Sequence, residues 1–246
     1  MVEIVSHTQS AFVGGRQLED SVLVLNEVVD EIKKRKKSAF VFKADFEKAY
    51  DHVDWSFLDW MMDSFGFGTK WRGWIMECLS TARISVLVNE NPTREFEVST
   101  GLQQGVPLSP FLFLMIGEGL QRLVQRAIDE GMLHGIETGK QGMAVSLLQF
   151  TNDTIIMGRA KAENIRMVKD VLKWFELMSG LRINFNKSSV YGYNVSERWL
   201  NGAAGMLRCG VGRAPFLYLG LPIDSRSRSK KVWEPVVNKF HAKLAI

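Results

Sequence analysis

The spacing of hydrophobic positions predicts alternating helices and strands in the first third of the chain. Apolar residues recur every three or four positions over residues 18–36, which is the period of one helical face. Residues 39–44 form a nearly continuous apolar run, typical of a buried strand, and Asp45 follows its end. Further stretches of helical spacing predict a helix over residues 54–66 and another over residues 70–80.

The middle of the chain predicts two hairpins separated by a long helix. Residues 83–89 alternate in polarity, a turn follows, and residues 95–98 return as the second strand. Residues 109–131 predict a long buried helix. Apolar strands over residues 145–150 and 154–157 flank a Thr-Asn-Asp sequence and predict the second hairpin, with Asp at its tip.

The last third predicts one helix followed by short strands. The amphipathic helix over residues 162–179 is closed by Gly180, a residue suited to a left-handed helix C-cap. Residues 182–185 and 216–221 predict strands, and a basic connecting segment follows Ser225. Because hairpins imply antiparallel pairing, the predicted fold class is α+β.

Composition limits the function only broadly. The chain has 246 residues, 46% of them hydrophobic, so it can bury a substantial core. Its net charge of +4 permits a polyanionic partner without requiring one. There is no apolar run of roughly 20 residues and no secretory signal, which predicts an intracellular protein of the nucleus or cytoplasm, neither secreted nor membrane-bound. Cys78 and Cys209 give no disulfide or zinc pattern and are predicted to be buried, reduced thiols.

Two acidic residues stand at the ends of predicted strands, about a hundred residues apart. Asp45 follows the strand over residues 39–44, and Asp153 belongs to the second hairpin. Taken alone, each residue is more commonly a cap or a turn residue than a metal ligand. If the two strands share a sheet, their carboxylates converge at one end of it. Such an arrangement suits Mg²⁺, which binds one or two carboxylates together with substrate phosphates.

Six segments follow one another in the chain, two of them around the acidic residues. Residues 43–51 read Lys-Ala-Asp-Phe-Glu-Lys-Ala-Tyr-Asp, and residues 150–153 read Phe-Thr-Asn-Asp. From Gln9 to about Ile223 the segments resemble the motifs of the reverse transcriptases of plant LINE-type non-LTR retrotransposons. They are a segment that precedes the palm (residues 9–17), motif A (43–51), motif B (101–110), motif C (150–153), motif D (180–188) and the primer grip (218–222). The resemblance implies an α+β right-hand polymerase palm, with an antiparallel sheet, packed helices and partial fingers.

The resemblance implies a metal-dependent nucleotidyl transfer. Asp45 and Asp153 would be catalytic carboxylates that bind two Mg²⁺ ions, or Mn²⁺, with the backbone of Phe46 against the second ion. Lys187 would assist the departure of pyrophosphate, although a solvated surface lysine explains it equally well. The partners would be an RNA template, a DNA primer and a deoxynucleoside triphosphate.

The resemblance also implies a nucleotide pocket and a primer grip. Tyr50 would lie under the sugar of the nucleotide, whereas the alternative is a packed core aromatic. Gln104 and Gly105 would line the pocket for nucleotide and template. Leu219 and Gly220 would position the primer end.

The chain departs from the family pattern at several positions. Asn152 stands where the family has the first Asp of motif C, so one metal ligand is lost. Thr151 replaces Ala, Gln103 replaces Arg, and Val106 replaces the Asp usual in plant elements. These changes predict a degenerate, inactive copy. Three hypotheses remain open. The first is a catalytic RNA-directed DNA polymerase, the second a non-catalytic palm that at most binds nucleic acid through basic residues, and the third an interaction domain without a nucleic-acid role.

The motif positions predict the domain organisation. Residues 1–38 would be a residual fingers or pre-palm segment, and residues 39–224 the palm, with a fingers insertion at about 54–98. Residues 225–246 would begin the connection or thumb. The basic fingers segment and the endonuclease domain of the family are predicted to be absent, as in a partial copy.

Overall fold

A computed structural model describes residues 4–139 and 143–224, together with residues 234, 237, 238, 241, 242 and 244. Within the first two ranges, helices and strands alternate irregularly. The helices are α1 (Leu18–Lys34), α2 (Trp55–Ser64), α3 (Thr69–Ser80), α4 (Ser109–Asp129), α5 (Ala162–Ser179) and α6 (Glu197–Leu207). The strands are β1 (Ala39–Ala44), β2 (Phe46–Glu47), β3 (Arg83–Ile84), β4 (Leu87–Val88), β5 (Asn91–Pro92), β6 (Phe96–Glu97), β7 (Ile136–Thr138), β8 (Met143–Val145), β9 (Leu147–Phe150), β10 (Asp153–Arg159), β11 (Arg182–Ile183), β12 (Ser189–Tyr193), β13 (Gly210–Val211), β14 (Phe216–Tyr218) and β15 (Leu221–Ile223).

A five-stranded sheet in the order β13-β12-β1-β10-β9 forms the centre of the fold. Strand β1 pairs antiparallel with both β10 and β12, β10 pairs antiparallel with β9, and β12 pairs parallel with β13. The register joins Ala39 to Arg159 at one end and Ala44 to Thr154 at the other. The predicted α+β class is therefore confirmed.

The two faces of the sheet are covered by different elements. Successive strand residues point to opposite faces, so neighbouring residues of one strand belong to different clusters. Phe40, Phe42 and Ile156 are buried in a large cluster with residues of α2, α4 and α5. Val41 and Ile155 belong to a second cluster with the apolar stripe of α1 and the β14–β15 hairpin. The end of the sheet at which β1 stops and β10 begins, near the Ala44–Thr154 pair, is called its open end.

The helix predictions hold closely. Helix α5 has the predicted bounds, and Gly180 caps it in the left-handed conformation with φ of 76°. Helix α2 begins after Asp54, whose side chain accepts a hydrogen bond from the backbone N–H of Phe57. Helix α4 is buried mainly over its first half rather than throughout.

The strand predictions need several corrections. The first hairpin consists of two short pairs, β3–β6 and β4–β5. The strand predicted over residues 182–185 is only β11, and residues 216–221 form part of a hairpin, because Leu219 and Gly220 take positive φ and reverse the chain. Asp153 is the first residue of β10, so the tip of the second hairpin is Thr151–Asn152.

Elements β12 and α6 were not predicted. The glycines of α6 weaken its helical signal, but Ser196 accepts a hydrogen bond from the backbone N–H of Trp199, and the helix buries Ala203, Ala204 and Leu207. The prediction of buried thiols is wrong for Cys78, which is exposed, while burial raises the pKa of Cys209 to about 11.

The predicted connecting segment from residue 225 onward lies outside the described residues except at isolated positions. In the part of the chain that the structure describes, no helix combines the length and the apolar character needed to cross a membrane.

Candidate active site

The two acidic residues singled out from the sequence lie opposite each other. Asp45 follows β1 and Asp153 begins β10, so continuing the register from the Ala44–Thr154 pair by one residue places the two acids side by side. Burial raises the pKa of the Asp153 carboxyl; the ammonium of Lys43 lowers this pKa and the charge of Asp45 raises it further. The structure therefore brings both predicted carboxylates together at the open end of the sheet.

Lys43 belongs to this site, although the motif comparison assigned it no role. Lys43 belongs to β1 and lies two residues before Asp45, so continuing the alternation of the strand by one residue puts both side chains on one side. Its Nζ donates a hydrogen bond of 3.1 Å to the carbonyl oxygen of Leu217 in β14. Lys43 thus connects the strand that carries Asp45 with the β14–β15 hairpin. The alternation along β1 was the available signal, because it places Lys43 and Asp45 on one side.

The backbone of Asp45 is held by the segment that resembles motif D. Ser188 Oγ accepts a 3.1 Å hydrogen bond from the N–H of Asp45, and the Asp45 carbonyl oxygen accepts a 2.7 Å bond from the N–H of Asn184. The N–H of Lys187 is bonded to Asn184 in the same turn, and the Lys187 residue is exposed. The turn therefore places Lys187 in solvent near the Asp45 backbone.

A cavity of about 420 Å³ joins most of the remaining predicted residues. Its lining includes Phe46, Tyr50, Gln104, Gly105 and Asn152. The structure thus places the residue at the lost ligand position in the same cavity as the predicted nucleotide pocket. The predicted residues outside this lining are Asp45, Asp153, Lys187, Leu219 and Gly220.

Tyr50 is half-buried in this cavity wall. Its ring stacks on Phe113 of α4, with 4.6 Å between the ring centroids and 19° between the planes. Burial raises the pKa of the Tyr50 hydroxyl. The residue is therefore both packed against the core and open to the cavity, so the two readings of Tyr50 are compatible.

The loop that carries Gln104 and Gly105 is fastened to the end of motif A. The N–H of Leu102 donates to the carbonyl oxygen of Tyr50 at 2.6 Å, and the N–H of Gly101 donates to that of Val53 at 2.8 Å. Trp55 Nε1 donates to the carbonyl oxygen of Gly101 at 2.7 Å. These bonds fix the position of the loop relative to Tyr50, which lines the cavity.

The β14–β15 hairpin brings a buried tyrosine to the carboxylates. Tyr218 is fully buried, and its hydroxyl has no hydrogen-bond partner within the described residues. Burial raises the pKa of Tyr218, and the nearby charge of Asp153 raises it further. Leu219 and Gly220 form the turn of the hairpin, with φ of 52° and 80°.

Few oxygen donors near Asp45 and Asp153 are suited to a divalent ion. Within residues 4–139 and 143–224, no group of three or more His, Cys, Asp or Glu side chains is placed to hold a metal ion. Asp45 and Asp153 supply two carboxylates, and Asn152 adds a neutral amide oxygen at most. This set fits one Mg²⁺ held together with substrate phosphates. It does not fit a pair of ions, whose charge of +4 would face only two carboxylates.

The raised pKa of Asp153 predicts that its ionisation opposes folding. Because the folded-state pKa lies above the ordinary value of 3.8, the contribution of Asp153 to stability is present below 3.8 and is lost as pH rises through the folded-state pKa. The Asp153→Asn variant should therefore have a higher free energy of unfolding than the unmodified chain at neutral pH, with the gain disappearing below pH 3.8. Urea unfolding across this pH range measures the effect.

Asp30→Asn is a suitable control for this measurement, because Asp30 is exposed on α1. It should change the free energy of unfolding little at either pH. A lower stability of Asp153→Asn at neutral pH would show instead that the attraction between Asp153 and Lys43 outweighs the cost of burial.

Comparisons with known proteins point to one family. The family model described as reverse transcriptase (RNA-dependent DNA polymerase) matches residues 1–223. An uncharacterized 149 kDa protein of transposon TX1 from Xenopus laevis is 25% identical over 77% of this chain and 14% of its own length. A Pol polyprotein of the type-1 retrotransposable element R2 from Popillia japonica is 28% identical over 45% of this chain and 18% of its own length. The chain thus spans less than a fifth of either relative.

The fold is similar to that of solved telomerases. A telomerase from Candida tropicalis, in complex with a fragment of telomeric RNA, superimposes with a TM-score of 0.55 at 16% identity, over 96% of this chain and 38% of that one. This likeness concerns the fold alone and confirms the predicted polymerase palm. With the family model covering nearly the whole described chain, the conclusion is that this chain belongs to the reverse transcriptase family.

Proposed function

We propose that this chain is the reverse transcriptase domain of a plant LINE-type non-LTR element, in a degenerate form that does not catalyse nucleotidyl transfer. The observation that carries the proposal is the position of Asn152. It lines the cavity with Tyr50 and Gln104, where the family has a carboxylate, and it adjoins the pair Asp45 and Asp153. Primer extension by the unmodified chain and by its Asn152→Asp variant tests the proposal.

In an active relative, the 3′-hydroxyl of a DNA primer on an RNA template attacks the α-phosphate of a deoxynucleoside triphosphate, and pyrophosphate leaves. Reverse transcriptases use divalent metal ions, which here would align the attacking 3′-hydroxyl oxygen with the leaving pyrophosphate oxygen and neutralise phosphate charge. Asp45 and Asp153 would hold Mg²⁺ or Mn²⁺, with the Phe46 backbone beside them. Tyr50 would support the sugar, and Lys187 would bind the leaving pyrophosphate.

Gln104 and Gly105 would complete the nucleotide pocket, whereas Leu219 and Gly220 would hold the primer end. Both assignments rest on the motif resemblance. The first is also supported by the shared cavity of Tyr50 and Gln104, and the second by the bond from Lys43 to Leu217, which connects the hairpin to the carboxylate strand.

The loss of activity follows from charge. An asparagine keeps the shape of aspartate and one oxygen but removes a full negative charge. Two unit charges 4 Å apart attract by about 4 kcal/mol at an effective dielectric constant of about 20. The neutral oxygen of Asn152 replaces little of that attraction for a divalent ion, so the second ion would be bound weakly or misplaced.

Binding of nucleic acid can survive the loss of catalysis, because it depends on basic groups rather than on metal. We expect the chain to bind an RNA–DNA hybrid with an affinity that falls as salt concentration rises. If Lys187 contacts a phosphate, Lys187→Ala should reduce the slope of log K against log salt by roughly 1. Fluorescence anisotropy at several salt concentrations measures both quantities.

Lys169→Ala is the matched control, because Lys169 is an exposed lysine on α5. Helix α5 covers the face of the sheet that carries Phe40 and Phe42, opposite the face covered by the β14–β15 hairpin. Lys169→Ala should leave the slope unchanged. Absence of salt-dependent binding by the folded chain would instead favour the third hypothesis, an interaction domain without a nucleic-acid role.

The domain organisation is proposed on the same basis. Residues 39–224 would be the palm, with residues 54–98 as the fingers insertion, since α2, α3 and the first hairpins stand between motif A and motif B. Residues 1–38 would be the residual fingers or pre-palm segment, and residues 225–246 the start of the connection or thumb. Action on nucleic acid would place the protein inside the cell, in the nucleus or the cytoplasm.

A further inference from the structure

A buried glutamine near the N-terminus contacts the turn that carries Asn152. Gln9 is 1% exposed. Its Oε1 accepts hydrogen bonds from the backbone N–H of Ala11 at 3.0 Å and from that of Thr151 at 3.3 Å. Since both partners are N–H donors, the atom that meets them must be the carbonyl oxygen of the amide. The contact joins residues that are 142 positions apart in the sequence.

The backbone around Gln9 is itself fixed. The N–H of Gln149 donates to the carbonyl oxygen of Thr8 at 2.8 Å, and the N–H of Ser10 donates to that of Gln149 at 3.1 Å, which forms a parallel bridge beside β9. The Arg16 guanidinium donates to the carbonyl oxygens of Gln9 and Ser6 and closes the segment into a loop. The backbone that carries the Gln9 side chain is therefore held in place on β9 by hydrogen bonds.

The turn needs such support. Thr151 has φ of 53°, a left-handed conformation that a β-branched residue rarely adopts. Within the described residues, the acceptors that its own hydroxyl can donate to belong to the turn itself: the Phe150 carbonyl oxygen and Asn152 Oδ1, which share one hydrogen. A strained residue of this kind persists where its surroundings hold it in place. The bond from Thr151 N–H to Gln9 is a contact that does so from outside the hairpin.

We propose that Gln9 is a positioning residue for this turn: it holds the peptide between Phe150 and Thr151 and so sets the direction in which Asn152 faces the cavity. The inference rests on the proposed function in so far as residues 152 and 153 mark the metal position. The hydrogen bond itself does not depend on that function.

The neighbouring glutamine supplies a matched control. Gln149 is also buried, at 2% exposure, and lies in the same bridge, but its side-chain Oε1 has no hydrogen-bond partner within the described residues. Gln9→Met removes the acceptor and keeps the length of the side chain, and Gln149→Met makes the same chemical change beside it. Amide hydrogen exchange of Thr151, resolved by NMR, should become about threefold to tenfold faster in Gln9→Met and stay unchanged in Gln149→Met.

The comparison separates positioning from general destabilisation. A merely structural loss would speed exchange in β1 and β10 as well, whereas the proposal confines the change to the turn. An unchanged Thr151 amide in Gln9→Met, or equal acceleration in both variants, would overturn it. If Gln9→Met does not fold, the unaltered chain still decides: an unprotected Thr151 amide would contradict the bond to Gln9.

A second readout follows metal rather than exchange. In the Asn152→Asp background, Mn²⁺ affinity measured by electron paramagnetic resonance should fall about tenfold or more on adding Gln9→Met, as for other outer-shell partners of metal ligands, and not on adding Gln149→Met. Equal affinity in both would contradict the positioning role. Absence of Mn²⁺ binding by Asn152→Asp itself would count against the proposed function, while the exchange comparison would still decide the role of Gln9.

Discussion

The Asn152→Asp variant should extend a DNA primer on an RNA template in the presence of Mg²⁺, whereas the unmodified chain should not. The substitution restores a third carboxylate beside Asp45 and Asp153 without changing side-chain size. Loss of an outer-shell partner alone typically costs 10–100-fold, so restoring a direct ligand should raise extension by more than about a hundredfold. Product length on a denaturing gel, with Mg²⁺ and then with Mn²⁺, measures the difference.

Asn186→Asp is the matched control for added charge. Asn186 is exposed in the segment that resembles motif D, so its replacement adds the same carboxylate outside the cavity. It should leave the chain inactive. Extension by the unmodified chain would show that two carboxylates suffice and would refute the proposed inactivity. Failure of the folded Asn152→Asp variant would show that Asn152 is not the limiting change, leaving Gln103 and Val106 as the next positions to restore.

Gly101→Ala should be strongly destabilising, because two separate penalties act at this position. Gly101 has φ of 89°, and an added Cβ would lie 2.6 Å from the backbone carbonyl oxygen of Asp51. The left-handed conformation costs about 1–2 kcal/mol for a residue with a Cβ, and overpacking adds about 1–3 kcal/mol. We therefore expect the free energy of unfolding to fall by roughly 2–5 kcal/mol in urea titrations.

Gly105→Ala separates the two penalties. Gly105 lies in the same loop with φ of 88°, but nothing stands within 4 Å of an added Cβ. It should lose only the conformational part, about 1–2 kcal/mol. An equal decrease in the free energy of unfolding in the two variants would mean that the Asp51 backbone moves away from the added Cβ. The contact between motif A and motif B would then be easier to displace than the structure indicates.

Periodicity predicted those elements whose own residues carry the pattern. Helix α5 has a clear amphipathic stripe and a glycine cap, and its bounds match the prediction. Helix α6 contains Gly202 and Gly205, so its sequence carries a weak signal, and its contacts with the large core cluster stabilise it instead. Strand β12 was missed for a similar reason, since its pairing with β1 compensates for an internal glycine.

The candidate site was predicted as a set of motif positions without their mutual contacts. Asp45 and Asp153 were expected to converge if their strands were neighbours, and the β1–β10 register meets that condition. The roles proposed for Lys187, Leu219 and Gly220 stay predictions. Lys43, Ser188 and Gln9 were not singled out, because each acts through a partner that only the folded chain brings near.

The sequence by itself determined the family, the order of the motifs and the replacement of a carboxylate by Asn152, since these depend on residue identity alone. Helix spacing and strand alternation were also readable, because they arise from interactions between residues a few positions apart. Only the tertiary structure decided the strand order, the hydrogen bond from Lys43 to Leu217, and the support of the Thr151 turn by Gln9. Those features depend on hydrogen bonds and packing between segments that are distant in the sequence. Local propensity does not specify which of these segments come into contact.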